Sequence, residues 1–242
     1  NTKIIPSFPL SSALPRQWNG HFGWQIDRLQ LDDSVFGNIA IKGQLNDGNL
    51  TLEQTGVTHP DDSPFSILLT IEPNATPPAT ITVQAEEFDL GWVLPNQFDD
   101  QPHWPTDINI TLSGPAETFD QLMAEANGTI ELSGGQTQGA EFEKWELNLL
   151  SRMIPDLGAK AIDQISCMVV EFDVEDGVAH GDGAVMETQH AVVAGDGTVD
   201  LRTEQLDLLL SAQPKNEALL DITASLKVEG SMREPKVEVV SA

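Results

Sequence analysis

Cysteine occurs once in the 242 residues of the chain, at Cys167. An internal disulfide and a cysteine-built metal site are therefore excluded. Its neighbours Ile165, Met168 and Val169 predict a small buried hydrophobe rather than a reactive thiol. Basic residues are also scarce: 12 Lys and Arg stand against 38 Asp and Glu, a formal net charge of −26. Nucleic acid is excluded as a partner, because its phosphates need basic side chains to displace their counterions. An anionic membrane surface would be repelled over most of the molecule. The acid excess reads first as a solubility device, with a cation-binding surface as the sharper alternative. Long apolar runs are missing too. No stretch of eighteen apolar residues occurs, so no part of this segment is expected to span a bilayer as a helix. The chain starts at Asn1, not at Met, and is expected to be an excised piece with any signal or anchor upstream.

Catalytic motifs are equally wanting. His21, His59, His103, His180 and His190 are scattered, and none are paired at the i, i+4 spacing of a helical metal site. His180 and His190 could meet across a hairpin, but exposed histidines at strand ends are the ordinary case. There is no G-x-S-x-G elbow and no glycine-rich phosphate loop. His180–Gly181–Asp182–Gly183 has the residue types of an oxyanion loop, yet no nucleophile elbow follows it. Asp32–Asp33, Asp61–Asp62 and Asp99–Asp100 are carboxylate pairs without the D-x-D-x-D-G spacing of a calcium loop, and read as solvated turn acids. Asn49, Asn74, Asn109 and Asn127 open N-x-T triplets, which matter only in a eukaryotic secretory setting. No enzyme, cofactor or metal is expected.

What the chain does have is alternation. In GDGTVDLRTEQLDLLLSAQPK (195–215), Val199, Leu201, Leu206, Leu208 and Leu210 fall on one side of a period of two, broken by the polar turn Arg202–Gln205. That is the signature of a hairpin with one shielded face. The same pattern runs through Ile39–Ile41–Leu45, Leu50–Leu52, Ile67–Leu69–Ile71, Ile81–Val83–Ala85, Ile108–Ile110–Leu112 and Ile130–Leu132. It continues over 167–175, 178–188, 191–201, 206–212, 222–230 and 236–240. Asn46–Asp47–Gly48 and Asp176–Gly177 supply turn chemistry. Asp182–Gly183 and Asp196–Gly197 sit inside strands, where glycine marks a bulge. Residues 1–18, with three prolines, and 95–105 read as irregular; FDLGWVL, after the Ile81–Val83–Ala85 run, reads as a single helical turn. Three helices are predicted: a short one at TFDQLMAEA, capped by Thr118 with Gln121 three residues on; Glu141–Ile154, with Phe142, Trp145, Leu149 and Met153 on one face; and Gly158–Ile165. The expected architecture is mainly β, a long curved antiparallel sheet with a few covering helices. It forms one domain over 1–242, with sheet halves near 20–135 and 167–240 and a helical insert near 140–165.

Three C-terminal pieces, CMVVEFDVEDGVA (167–179), GDGTVDLRTEQLDLLLSAQPK (195–215) and LKVEGSMREPKVEVV (226–240), in that order and spacing, resemble the AsmA-like family of bacterial envelope proteins. IAIKGQLNDGNLTLEQTGV (39–57) looks like the family's strand–turn–strand unit, and AEEFDLGWVL like its recurrent post-strand turn. The resemblance runs from about Trp24 to Val240. It implies a gutter-like antiparallel meander in the periplasm, tethered to the inner membrane by an N-terminal helix outside this segment, with a part in outer-membrane biogenesis. Larger relatives look like bridges that move phospholipid along an apolar trough; this chain is shorter. The family has no catalytic motif to carry over.

The apolar parity then admits two readings: an ordinary core sealed by helices, or a groove for phospholipid acyl chains, since the predicted helices are too few to cover some twelve strands. The groove candidates are Val170, Phe172, Val174, Val199, Leu201, Leu206, Leu208, Leu210, Ile222, Ala224, Leu226 and Val228. The alternative from another class is a scaffold that docks an envelope protein through its sheet edges.

Overall fold

In the computed structural model, the described residues are 4–10, 19–31, 34–59, 62–89, 104–136, 165–188, 191–215 and 224–241. Almost all of them alternate, and almost all are strand. The strands are β1 (Gly20–Leu31), β2 (Ser34–Asn46), β3 (Asn49–His59), β4 (Ser63–Ile71), β5 (Ala79–Asp89), β6 (Pro105–Gly114) and β7 (Asn127–Gly134). Then follow β8 (Ile165–Glu175), β9 (Val178–Thr188), β10 (Ala191–Asp200), β11 (Gln205–Pro214), β12 (Ala224–Ser231) and β13 (Glu234–Ser241). One helix, α1 (Phe119–Ala124), lies between β6 and β7. The strands form a single 13-stranded antiparallel meander in sequence order. At the usual interstrand spacing it is about 58 Å from edge to edge along the sheet. β7 pairs with β8 from Gly128↔Val174 to Gly134↔Met168, so the two sheet halves are continuous.

The turns follow local chemistry. Asp47–Gly48 and Asp176–Gly177 both hold positive φ at each position (50° and 83°; 47° and 76°), the twist that lets a two-residue turn join antiparallel strands. Gly177 is further constrained, because a Cβ there would strike the Ala124 carbonyl. Of the two expected bulges, the one at Asp182–Gly183 is present: between Gly195↔Ala184 and Gly197↔Gly181 these two residues of β9 stand opposite Asp196 alone, whereas β10 keeps an unbroken register with β11 through Asp196–Gly197. Between β10 and β11, Asp200 organises the turn. Its Oδ1 accepts from the N–H groups of Arg202 (2.8 Å) and Thr203 (3.2 Å), and its Oδ2 accepts from the Arg202 guanidinium at 3.1 Å.

α1 begins as its sequence predicts. Thr118 is extended at φ −137°, ψ 159°, and its hydroxyl accepts from the Gln121 N–H. Leu122 is fully buried against Ile71 and Ala79, which places the helix over one rim of the apolar face. The N-terminal segment is irregular, as expected, but it is tied down. Ile4 and Ile5 donate their N–H groups to the buried Glu204 carboxylate at 3.0 and 2.8 Å. Pro9 bridges Thr118, and the Phe8 and Phe119 rings stack at 5.0 Å.

Several expectations are corrected. Pro105 opens β6 instead of closing a loop, with Trp104 buried beside it. Ile165 begins β8 instead of ending a helix. Cys167 is exposed, because it pairs with Glu187 on the polar side while its neighbour Met168 takes the apolar one. The predicted helix Glu141–Ile154, the rest of 158–165 and the turn after Asp89 lie outside the described residues.

Two outcomes test this account. Gly177→Ala should destabilise the fold by more than about 1 kcal/mol in urea titration, since the turn demands positive φ, whereas Gly20→Ala, with open space around it, should be near neutral. Partial burial pushes the Asp200 carboxyl up, but the hydrogen bonds from Arg202 and Thr203 outweigh it and hold its pKa below the ordinary value. A depressed carboxylate pKa stabilises above the unfolded value, near about 3.9, and that stability is lost as pH falls. The difference in thermal midpoint between wild type and Asp200→Ala should therefore be clear at neutral pH and shrink below about pH 4.

Candidate functional site

Antiparallel pairing puts directly opposed residues on the same face, so one face can be followed across the whole sheet. From Trp24↔Ile41 and Phe22↔Gly43 it passes through Gly43↔Leu52, Leu52↔Leu69, Leu69↔Ile81, Ile81↔Leu112 and Leu112↔Gly128. It continues through Gly128↔Val174, Val174↔Ala179, Ala179↔Val199, Val199↔Leu206, Leu208↔Val228 and Val228↔Val237. At the paired positions of this face no residue is charged. Its polar members, Gln54, Ser63, Thr106 and Thr188 among them, are neutral. The opposite face carries the ions, such as Lys42–Glu53 and Lys227–Asp207.

The apolar face is only partly covered. Four separate clusters are buried: around Leu122 beneath α1, around Val174 and Leu201, around Trp104 and Ile165, and around Leu226 with Val193 and Ala212. Between them, Ile41, Leu52, Ile67, Val83, Ile108, Ile110 and Leu132 are half-buried. At the edges Trp24 is 64% exposed and Val239 54%. Aromatic rings lie over glycines of neighbouring strands and flatten the lining. A Cβ on Gly56 would stand 2.8 Å from the Phe65 ring, and one on Gly181 2.6 Å from Phe172.

One stretch of this face curves into a cavity of about 300 Å³, lined by Leu29, Phe36, Ile39, Gln54, Phe65, Ile67, Val83, Ala85, Phe88 and Ile108. Residues of β1 to β6 share it, so the face is concave there, and its volume is at the small end of ligand sites. Bulges at Gly37/Ala40 and Ala85/Phe88 bend the strands that form it. A larger hollow of 750 Å³ occurs on the other face, where Thr55, Ser66, Gln84, Asn109, Glu131 and Glu171 line it. Its walls also include Glu86 and Asp107, and mix these polar groups with Phe65, Ile108 and Val169.

The predicted groove residues divide by position. Val170, Phe172, Val199, Leu206, Leu208, Leu210 and Val228 lie half-buried on the apolar face, as expected. Val174 is buried at 2% exposure. Leu201 is not in a strand: it falls in the turn after β10 and is buried against the Val174 cluster. Leu226 is wholly buried in the cluster with Val193 and Ala212, so it belongs to a core rather than to an open lining. Ala224 opens β12 and pairs with Ser241. Ile222 lies outside the described residues. Sequence reasoning missed the N-terminal share of the lining. Ile67, Val83 and Ile108 carry the right parity in sequence, but the bulges that gather them into one cavity leave no mark in the alternation.

Among the described residues no group of His, Cys, Asp and Glu could hold a metal, and no helix is long and apolar enough to cross a membrane. Over 130 residues, 53% of its length, the chain is 22% identical to the AsmA family protein YhjG of Escherichia coli (strain K12). The chain is thus similar to an AsmA family protein. The matched stretch spans 19% of that relative. No family model matches the chain, and no solved structure does. The trough has an uncharged floor, a closed rim beneath α1 and a half-open centre.

Leu226→Ala should cost about 2–5 kcal/mol in chemical denaturation, as expected of a buried leucine. Leu68→Ala, on the opposite and exposed face, should change stability by less than about 0.5 kcal/mol.

Proposed function

We propose that this chain is a non-enzymatic lipid-handling domain of a Gram-negative envelope. Its apolar face takes phospholipid acyl chains in the periplasm. In the full-length protein an anchor outside this segment tethers it to the inner membrane. It serves phospholipid transport or homeostasis and so outer-membrane biogenesis. The observation that carries this reading is the apolar face itself, uncharged at its paired positions on thirteen strands and left half-open over its centre. Acyl chains need no directional partner: each buried methylene contributes about 0.8 kcal/mol. A smooth aliphatic floor with aromatic rings over glycines meets that need, and the AsmA likeness supports the envelope setting.

A scaffold role is the second reading. β1 and β13 are the sheet's outer strands, and a partner strand could extend either edge. The two readings part in one experiment. A phospholipid carrying a photoreactive group in its acyl chain should label wild type and Leu68→Gln equally, and Ile67→Glu much less. Ile67→Glu places a charge on the half-buried floor of the cavity, where lost hydration penalises an incoming chain. Absent labelling, or labelling indifferent to Ile67→Glu in a variant that still folds by circular dichroism, would favour the scaffold.

A further inference from the structure

The outer strands govern what can be added to the sheet. Among the described residues β1 and β13 are its two edges, and every residue of β13 from Glu234 to Val240 is exposed. Proline has no N–H to give a ladder and sits in an edge strand with its nitrogen turned outward. Pro235 pairs with Gly230, so Val237 and Val239, of the same parity, also turn their backbone N–H and C=O to the open side. On the apolar face these two valines extend the strip from Val228 and Leu226, their partners on β12. On the polar face the charges alternate in sign. Lys227 stands opposite Glu238 and Glu229 opposite Lys236, and Lys227 is also held by Asp207 at 3.6 Å and Glu229 at 2.8 Å.

We infer that β13 is an interface for a second copy of this chain, joined edge to edge in antiparallel register about Val237. A two-fold axis normal to the sheet at that residue keeps the apolar faces of both copies on one side. It sets Val237 against Val237, so that each N–H donates to the other's carbonyl, and each Pro235 carbonyl accepts from the copy's Val239 N–H. On the polar face it sets Lys236 against Glu238 on both sides of the axis, carrying the alternation of charge across the joint. The neighbouring registers are penalised or empty. Centred on Lys236 or on Glu238 they oppose like charges, and centred on Val239 they lose both charge pairs. The β1 edge has no such match: its charged residues, Asp27 and Arg28, are adjacent, and no residue-centred register opposes them.

The inference stands apart from the acyl-chain reading and gives one edge of the scaffold reading a definite occupant. The test is sedimentation equilibrium of the full chain in about 0.15 M salt, where charges act over only about 8 Å. That screening matters because each copy carries a net charge of −26. With rising concentration the mass should climb from 26.3 kDa to twice that and stop, since a two-fold joint closes. Lys236→Glu and Glu238→Lys should each raise the dissociation constant at least about tenfold, because either sets like charges face to face. Mixed in equal amounts, the two variants should pair again, each Glu of one copy facing a Lys of the other. A variant whose β12–β13 hairpin had failed to form could not be rescued in this way. A monomer at every concentration, or growth beyond two copies, overturns the inference. So does a dimer indifferent to both substitutions, or a pair of variants that stays apart on mixing. The acyl-chain reading survives each of these results.

Discussion

The structure depends on one constraint: every strand presents its apolar parity to the same side of a single sheet. Antiparallel register transmits that choice from strand to strand, because a slip of one residue would turn a strand's whole apolar set to the wrong face. In a sandwich a second sheet would cover such a surface. Among the described residues only α1 and the N-terminal segment do so, and only along one rim. The core is accordingly not one body but four small clusters, with half-buried aliphatics between them.

This arrangement suits a ligand recognised by what it lacks. Hydrocarbon asks for contact without direction, so a lining of Ile, Leu, Val and Phe on successive strands is equivalent at each step and offers no preferred stopping place. A single charge on the floor would break that equivalence, and the paired positions avoid one. Polarity is exported to the opposite face, which carries ion pairs such as Lys42–Glu53, and to the rims.

Much of this was legible in sequence because its causes are local. Alternation marks strands; Asp–Gly marks the turns at 47–48 and 176–177; Thr118 with Gln121 marks the helix start. Each needs no knowledge of the rest of the chain. The errors came where tertiary context decides. Leu201 keeps the strand's parity in sequence, yet the Asp200 hydrogen bonds turn the backbone one residue earlier. Cys167 has apolar neighbours, but the parity that sends Met168 inward sends it outward. Leu226 and Leu208 are alike in pattern; only the packing of Val193 and Ala212 makes the first a core residue and leaves the second half-open. The cavity between β1 and β6 needed the bulges, whose bending no alternation reveals.

The N-terminal segment has a consequence for how the sheet comes apart. In a meander each strand touches mainly its two neighbours, and such linear assemblies unravel from their ends in nearly independent steps. The segment breaks that independence. Ile4 and Ile5 are fastened to Glu204, some 200 residues away, while Phe8 and Leu10 are fastened at 117–119. It acts as a tie rod laid across the strand ends, so that α1 and the β10–β11 turn give way together rather than one by one. The far edge is joined to the same point, because the Met232 N–H in the β12–β13 turn donates to the Glu204 carbonyl at 2.8 Å. Amide exchange would therefore show α1, the β10–β11 turn and the β12–β13 turn opening as one unit.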